Sequence, residues 1–232
     1  MTDKNSGSQT LESMSQAVWY NRWTLNKFKK YLKGNILEVG CGIGNFTKEL
    51  LSFGQVFAID INEDYVQKVS RLVKDKGRIG LGNIENGKYF FDDQKFDNVV
   101  SLNVLEHIKK DKQALKNLFN LLESDGYLIL LVPTHPNLFG EIDKSIGHFR
   151  RYHKDELLYK LKEVGFFVIS SRRLNFLGAI GWWLAQKVFK EKTIKESNIQ
   201  IFNILAPLVL PLEDIIEPPL GTSILVIAQK RL

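Results

Sequence analysis

Cysteine occurs once in the 232 residues, at Cys41. That excludes an internal disulfide framework and a Cys-based zinc cluster, and it suits a reducing compartment. Long apolar runs are also missing. The uncharged stretches 174–186 and 197–212 fall short of the roughly 20 apolar residues of a spanning helix. The second is further interrupted by Asn198, Gln200, Asn203, Pro207 and Pro211. The first fifteen residues are polar and lack the apolar core of a signal peptide, so a cytoplasmic protein is expected. Like charges never gather into a long block. The net charge of +6, from 32 basic and 26 acidic residues, reads as ordinary surface charge. It is still an excess of the sign that suits acidic substrates, nucleic acid or a membrane surface. There is no internal repeat and no low-complexity tract. What remains is 44% apolar and 25% charged, the balance of a soluble globular chain whose length fits one domain with a full core.

Residues 1–13 read as a flexible tail and 14–232 as a single domain. A helix-like stretch from about Gln16 to Leu32 carries Trp19, Tyr20, Trp23 and Phe28. A repeating rhythm follows. The apolar run Ile36–Val39 meets the turn Gly40-Cys41-Gly42-Ile43-Gly44, and a helical pattern runs from there to Phe53 and stops at Gly54. Val56–Ile59 ends at Asp60. Asn62 is placed to cap the next helix, and Glu63 and Asp64 suit its positive N-terminus. Tyr65, Val66, Val69, Leu72 and Val73 recur on one face before Gly77. Further strands are predicted at Ile79–Leu81, Asp97–Leu102, Tyr127–Val132, Phe167–Ser170 and Ile224–Ala228. Helices are predicted around Ala114–Leu122 and over Lys154–Val164, with Gly165 as a stop. Strands alternating with helices imply right-handed crossovers. The predicted fold is therefore α/β, a doubly wound sheet of seven mostly parallel strands.

The interval 174–221 breaks this rhythm as an apolar helical insertion before the last strand. Ile180, Trp183, Leu184 and Val188 lie at helical spacing, and Phe202–Pro211 is dense in apolar residues. Such a segment can line a pocket as a lid, hold a dimer contact, or rest on a membrane beside Lys187, Lys190, Lys192 and Lys195. Monomer and homodimer both stay open.

The sharpest signal is Glu38-Val39-Gly40-Cys41-Gly42-Ile43-Gly44-Asn45, after a strand and before a helix. Glycines there let the backbone turn tightly and approach a ligand, and the following helix aims free N–H groups into the turn. Asp60 closes the second strand, where a carboxylate can accept from both hydroxyls of a ribose. An adenosine-bearing ligand is the physical expectation. The dinucleotide fingerprint would place a third glycine where Asn45 stands, and Glu38 would repel a pyrophosphate. A ligand with a sulfonium and an ammonium would accept Glu38, which argues for S-adenosylmethionine over NAD.

The chain here resembles class I S-adenosylmethionine-dependent methyltransferases, which have a Rossmann-like fold. Four stretches carry the resemblance in the family's order: Ile36–Asn45, Phe57–Asp60, Phe96–Ile108 and Gly126–Pro133. The run Leu105-Glu106-His107-Ile108 resembles the branch that includes ubiquinone-biosynthesis methyltransferases. Pro133-Thr-His-Pro136 and Gly147-His-Phe-Arg-Arg-Tyr152 resemble a bacterial and archaeal group often found near lipid-linked glycosyltransferases. The resemblance implies S-adenosylmethionine as cofactor, with S-adenosylhomocysteine as product. It also implies roles for cofactor-binding residues. Gly40, Cys41, Gly42 and Gly44 would form the turn around the methionine part and the ribose. Glu38 would lie near the amino group, Asp60 on the ribose hydroxyls and Ile61 on adenine. Asn83 and Ile84 would sit at the adenine edge. Asn103 would offer its carbonyl to the ammonium. The family often has Asp where Asn83 stands.

Four histidines, His107, His135, His148 and His153, show no metal-binding spacing such as His-Glu-x-x-His, and no carboxylate can be placed in register with them. Metal-free chemistry is therefore expected. His107 follows the fourth strand on the ligand-binding edge and either lines the transfer pocket or packs behind it. The loop Glu141–Tyr152 gathers acid, imidazole, guanidinium and phenol above the same edge. There His148 and Tyr152 are candidates to handle an acceptor proton, and Arg150 or Arg151 to bind an acidic acceptor or the cofactor carboxylate. Trp19, Tyr20, Arg22 and Trp23 would fold over the cofactor or face the core. A base is needed only when the acceptor starts protonated.

The predicted activity is methyl transfer to an O or N atom of a small-molecule, hydrophobic or lipid-linked acceptor, with peripheral membrane contact as an option. An NAD(P)-dependent oxidoreductase and a non-catalytic S-adenosylmethionine-binding subunit are the alternatives. A nucleic-acid methyltransferase fits less well, because Asn103-Val-Leu-Glu106 stands where base-modifying enzymes carry Asn/Asp-Pro-Pro-aromatic.

Overall fold

A computed structural model describes residues 17–185 and 196–231. The tail assigned to 1–13, and Val188, Lys187, Lys190, Lys192 and Lys195 of the insertion, lie outside the described residues.

Eight strands form one sheet: β1 (Asn35–Val39), β2 (Gln55–Asp60), β3 (Gly77–Asn83), β4 (Lys88–Tyr89), β5 (Phe96–Leu102), β6 (Leu122–Pro133), β7 (Phe166–Leu174) and β8 (Ser223–Lys230), in the order β4-β3-β2-β1-β5-β6-β8-β7. Strands β3, β2, β1, β5 and β6 pair in parallel, while β8 runs antiparallel between β6 and β7. Seven of these are the predicted strands. β4 is a two-residue edge strand, too short to show any alternation. The central strands carry apolar residues on both faces because helices cover both.

Alternate residues feed two cores. On one face Leu37, Val39, Phe57, Val99, Leu128 and Leu130 pack with α4 (Asp111–Leu121) and α6 (Lys154–Val164). On the other, Ile36, Val56, Val100, Ile129 and Leu131 pack with α1 (Val18–Phe28) and α8 (Glu196–Val209). α3 (Glu63–Val73) covers Ala58 through Val69 and Val73. The Asn62 side chain caps α3 by accepting from the Asp64 N–H at 2.9 Å, and Gly165 ends α6 in the left-handed region. The helical pattern after the glycine turn is shorter than expected, since α2 covers only Thr47–Leu50.

Tyr20 is buried with its ring edge-on to Phe202 of α8 at 5.5 Å, and Trp19 stacks on Trp23 at 6.4 Å, so both serve the second core.

The described residues of the insertion are mostly helical, with α7 (Phe176–Trp183), α8 and α9 (Leu212–Ile215) lying between β7 and β8. Pro207 sits inside α8 without ending it. Buried Glu213 pins the insertion to the end of β7, its carboxylate accepting from the N–H groups of Asn175 and Phe176 at 2.8 Å each. Among the described residues no helix is long and apolar enough to cross a membrane.

Candidate cofactor and acceptor site

The parallel strands β1, β2 and β5 end on one edge, which brings the glycine turn, Asp60 and the 103–108 turn together. Gly40, Gly42 and Gly44 all have positive φ, at 74°, 53° and 90°. The turn is tied down by Gly40 and Cys41 N–H groups donating to the Ile59 carbonyl at 2.8 and 3.1 Å. A Cβ on Gly40 would lie 2.4 Å from Val104 Cγ2, so the exit of β5 packs directly on the turn. Asp60 Oδ2 accepts from Gly42 N–H and Oδ1 from Asn62 N–H, each at 2.9 Å. Burial raises the Asp60 carboxyl above its ordinary value, opposed by those N–H groups. Each carboxylate oxygen keeps a further lone pair for a ligand hydroxyl. Beside the turn, Val18, Asn21 and Arg22 of α1 meet Gly44, Asn45 and Phe46 around a hollow.

Glu38 is the one charged residue in the buried run of β1, 5% exposed. Its Oε2 has no hydrogen-bond partner among the described residues. Burial, with Asp60 nearby, pushes its carboxyl up to about 8. The sign of its pH effect follows from linkage. From the ordinary carboxyl range up to about 8 the folded chain holds the proton that the unfolded chain has lost, so ligand-free stability falls as pH rises across that window. Glu38→Gln is expected to remove this part of the slope and to gain stability relative to the native chain as pH rises. Ligand-free thermal melts of both proteins across that window check it, and parallel curves would contradict it.

The remaining cofactor candidates are positioned unevenly. Ile61 is 75% exposed on the same edge. Asn103 is exposed and left-handed, φ 56°, with its N–H on the Leu131 carbonyl at 2.8 Å. Asn83 spends its side-chain oxygen on the N–H groups of Glu85 and Asn86, at 2.9 and 3.3 Å. The Ile84 side chain is in the core, which leaves only its backbone for a ligand. Cys41 is buried, and burial raises its thiol, so its contribution is likewise through the backbone.

The Glu141–Tyr152 loop corrects three expectations. Tyr152 is fully buried rather than presented above the edge. Its hydroxyl donates to Asp111 Oδ2 at 3.1 Å, and burial pushes its pKa far up. Arg151 is buried, with Nε donating to Asp143 Oδ1 at 2.8 Å and its guanidinium 4.6 Å from the Trp182 ring centroid. Arg150 pairs with Asp111 at 2.8 Å and donates to the Lys109 carbonyl. All three hold the loop to the body. Tyr152→Phe is accordingly expected to cost about 1.5–3 kcal/mol of stability, the range for a hydrogen bond to a charged group, while cofactor affinity stays unchanged. Denaturant melts with a parallel ligand titration measure both. Unaltered stability with lost turnover would restore a chemical role.

His107 is exposed after β5, and the His148 side chain beside it is 8% exposed. Their rings meet edge-on at 4.6 Å between centroids. His148 Nδ1 lies 2.9 Å from Asp143 Oδ1, and Nε2 lies 3.7 Å from Glu106 Oε1. Glu106 is fully buried, and burial pushes it up to about 7. Asp143, on α5 (Glu141–Ser145), is held below the ordinary range by His148 and Arg151 despite burial. Neither acid stands out in the sequence as a site residue. Glu106 was visible as the one acid between Leu105 and His107 after a strand. Asp143 had no signal beyond its place in a charged loop.

Residues 37–130 match the family described as a methyltransferase domain. Protein MJ0638 of Methanocaldococcus jannaschii, described as uncharacterized, is 30% identical over 156 residues, which are 67% of this chain and 65% of that protein. The juvenile hormone acid O-methyltransferase of Bombyx mori is 29% identical over 136 residues, 55% of this chain and 48% of that enzyme. The chain thus spans less than two thirds of the length of these curated relatives. A solved complex of the Haloferax volcanii Trm112 methyltransferase activator and a methyltransferase aligns with a TM-score of 0.67 at 14% identity, covering 100% of both chains, and shows the same fold. With the strand order, the glycine turn and the acid of β2 in place, residues 37–130 match a methyltransferase domain in sequence and the chain matches methyltransferases in fold.

Proposed function

We propose that this chain transfers a methyl group from S-adenosylmethionine to an oxygen or nitrogen atom of a small-molecule acceptor. The observation that carries this reading is the cradle itself. Left-handed glycines approach a ligand closely, Asp60 stands 2.9 Å from the Gly42 N–H, and Glu38 is buried with an orphaned oxygen one strand away. A cationic adenosine compound suits all three, and a pyrophosphate does not suit Glu38.

When bound, the cofactor supplies a methyl already activated on a sulfonium. The chain's residues bind and orient. Asp60 takes the ribose hydroxyls, Ile61 covers adenine, and Asn83 with the Ile84 backbone borders it. Glu38 and the Asn103 carbonyl hold the ammonium. The acceptor must then lie in line with sulfur, with water excluded. His107 and His148 front that space, and Asp143 orients the His148 ring.

The finer reading is a hydrophobic or lipid-linked acceptor, used by a cytoplasmic protein with peripheral membrane contact. It is supported by exposed Ile201, Ile204, Leu208, Ile215 and Ile216 on and beside α8 and α9, and by the likeness of the 133–152 motifs to the group near lipid-linked glycosyltransferases. In it, 174–221 acts as the lid of a single domain.

The test is S-adenosylhomocysteine formation from labelled cofactor with panels of phenols, amines, carboxylates and polyprenyl-linked compounds, and separately with RNA and DNA. Transfer to a small or lipid acceptor is expected. Transfer confined to nucleic acid, falling steeply with salt, would overturn the reading.

A further inference from the structure

We infer that Glu106, His107 and His148 form a binding site for one first-row divalent metal ion on the acceptor side of the cradle. One ligand atom from each of the three residues lies within 4.8 Å of the others. His148 Nε2 and Glu106 Oε1 are 3.7 Å apart, too long for a direct hydrogen bond. Two donors sharing one ion with bonds of roughly 2.0–2.2 Å lie at about that spacing. Both Glu106 oxygens are buried with no hydrogen-bond partner among the described residues. A fully buried carboxylate left so is costly, and a cation between it and the histidines satisfies it.

The surroundings fit a metal in two further ways. His148 Nδ1 meets Asp143 Oδ1 at 2.9 Å, the carboxylate contact that fixes the ring of a ligating histidine and leaves Nε2 as ligand. Asp143 is itself held by Arg151 Nε at 2.8 Å and Gly140 N–H at 3.0 Å. The Arg151 charge offsets Asp143 at 2.8 Å, which leaves Glu106 as the carboxyl of the cluster whose proton a metal ion would displace. Backbone bonds set the register: Phe149 N–H donates to the Glu106 carbonyl at 2.8 Å, and His148 N–H to the Asp143 carbonyl at 2.9 Å. Two imidazoles and one carboxylate select zinc-like ions over magnesium or calcium and leave a coordination position open.

Resting on the methyl-transfer reading, the open position takes an acceptor oxygen, so the class of acceptor is a phenol, alcohol or carboxylate. The ion, rather than a bare imidazole, then lowers the pKa of a bound hydroxyl.

The test uses the full chain stripped of metal and titrated with Zn²⁺ and Co²⁺. One equivalent is expected to bind, with the visible Co²⁺ bands of a low-coordinate site. Glu106→Gln and His148→Ala should abolish both signals, Asp143→Asn should weaken binding about 10–100-fold, and His153→Ala should leave it intact. Circular dichroism melts verify folding, and Zn²⁺ should raise the Tm of the native chain but not of Glu106→Gln. Absence of stoichiometric binding to the native chain overturns the inference, as does unchanged binding in folded Glu106→Gln. S-adenosylhomocysteine titrations of the same samples separate the two readings. Metal binding without cofactor binding sinks only the methyl-transfer reading, and cofactor binding without metal sinks only this one.

Discussion

Gly40→Ala is expected to damage both stability and cofactor affinity. The residue has φ 74°, where an L side chain costs roughly 1–2 kcal/mol. Its new methyl would also lie 2.4 Å from Val104 Cγ2 and 3.3 Å from Cγ1. Val104 is branched at Cβ and sits on the turn leaving β5, so it yields only with that turn, at a cost of about 1–3 kcal/mol for overpacking. The turn that relaxes is the one carrying Asn103 on one side and Glu106 on the other. Affinity for S-adenosylhomocysteine should fall by tenfold or more, about 1.4 kcal/mol. The double variant Gly40→Ala/Val104→Ala separates the two causes, because it returns the packing part and keeps the left-handed strain. Denaturant unfolding and calorimetric titration of the three proteins measure this. A single variant with native stability and affinity would mean that the turn is loose and the cradle is not preformed.

Asp60→Ala should weaken the same ligand by about 1.5–3 kcal/mol, the range for hydrogen bonds to a charged group, or roughly tenfold to a hundredfold. Part of that loss is indirect, because Asp60 also holds the Gly42 and Asn62 N–H groups at 2.9 Å. A ligand without the 2′-hydroxyl isolates the direct part. The native chain should prefer S-adenosylhomocysteine over its 2′-deoxy analogue, and Asp60→Ala should lose that preference. An equal preference in both proteins would leave Asp60 as a brace of the glycine turn only. Non-additivity between protein and ligand changes is the appropriate readout for groups in contact.

How much of this was legible depends on where each residue sits. β1, β2, β5 and β6 announced themselves because helices cover both sheet faces, so apolar residues on these strands point both ways. The Asn62 cap and the Gly165 stop were legible because local backbone chemistry alone decides them. Glu38 and Asp60 were legible from position, as acids interrupting or closing apolar strands.

The loop before α6 was not legible in the same way. Phe149 is 47% exposed while Tyr152 is fully buried, the reverse of what their polarity suggests, because Tyr152 finds Asp111 across 41 residues of chain. No local pattern encodes a partner that far away. Likewise, no spacing rule joins Glu106 to His148. A one-turn helix at Leu105–His107 turns Glu106 inward, and α5 delivers Asp143 to the other side of His148. The aromatics of α1 were ambiguous for a related reason, since a lid and a core-facing helix need the same residues, and only the packing of Tyr20 on Phe202 decides between them.

The cradle is proposed to bind S-adenosylmethionine and its product. Calorimetric titration of the purified chain with S-adenosylhomocysteine, run beside an identical titration with NADH, tests it most directly. One site of micromolar affinity for the first, with no heat from the second, is the predicted result. Binding of NADH alone, or binding of neither ligand by a folded protein, would contradict it.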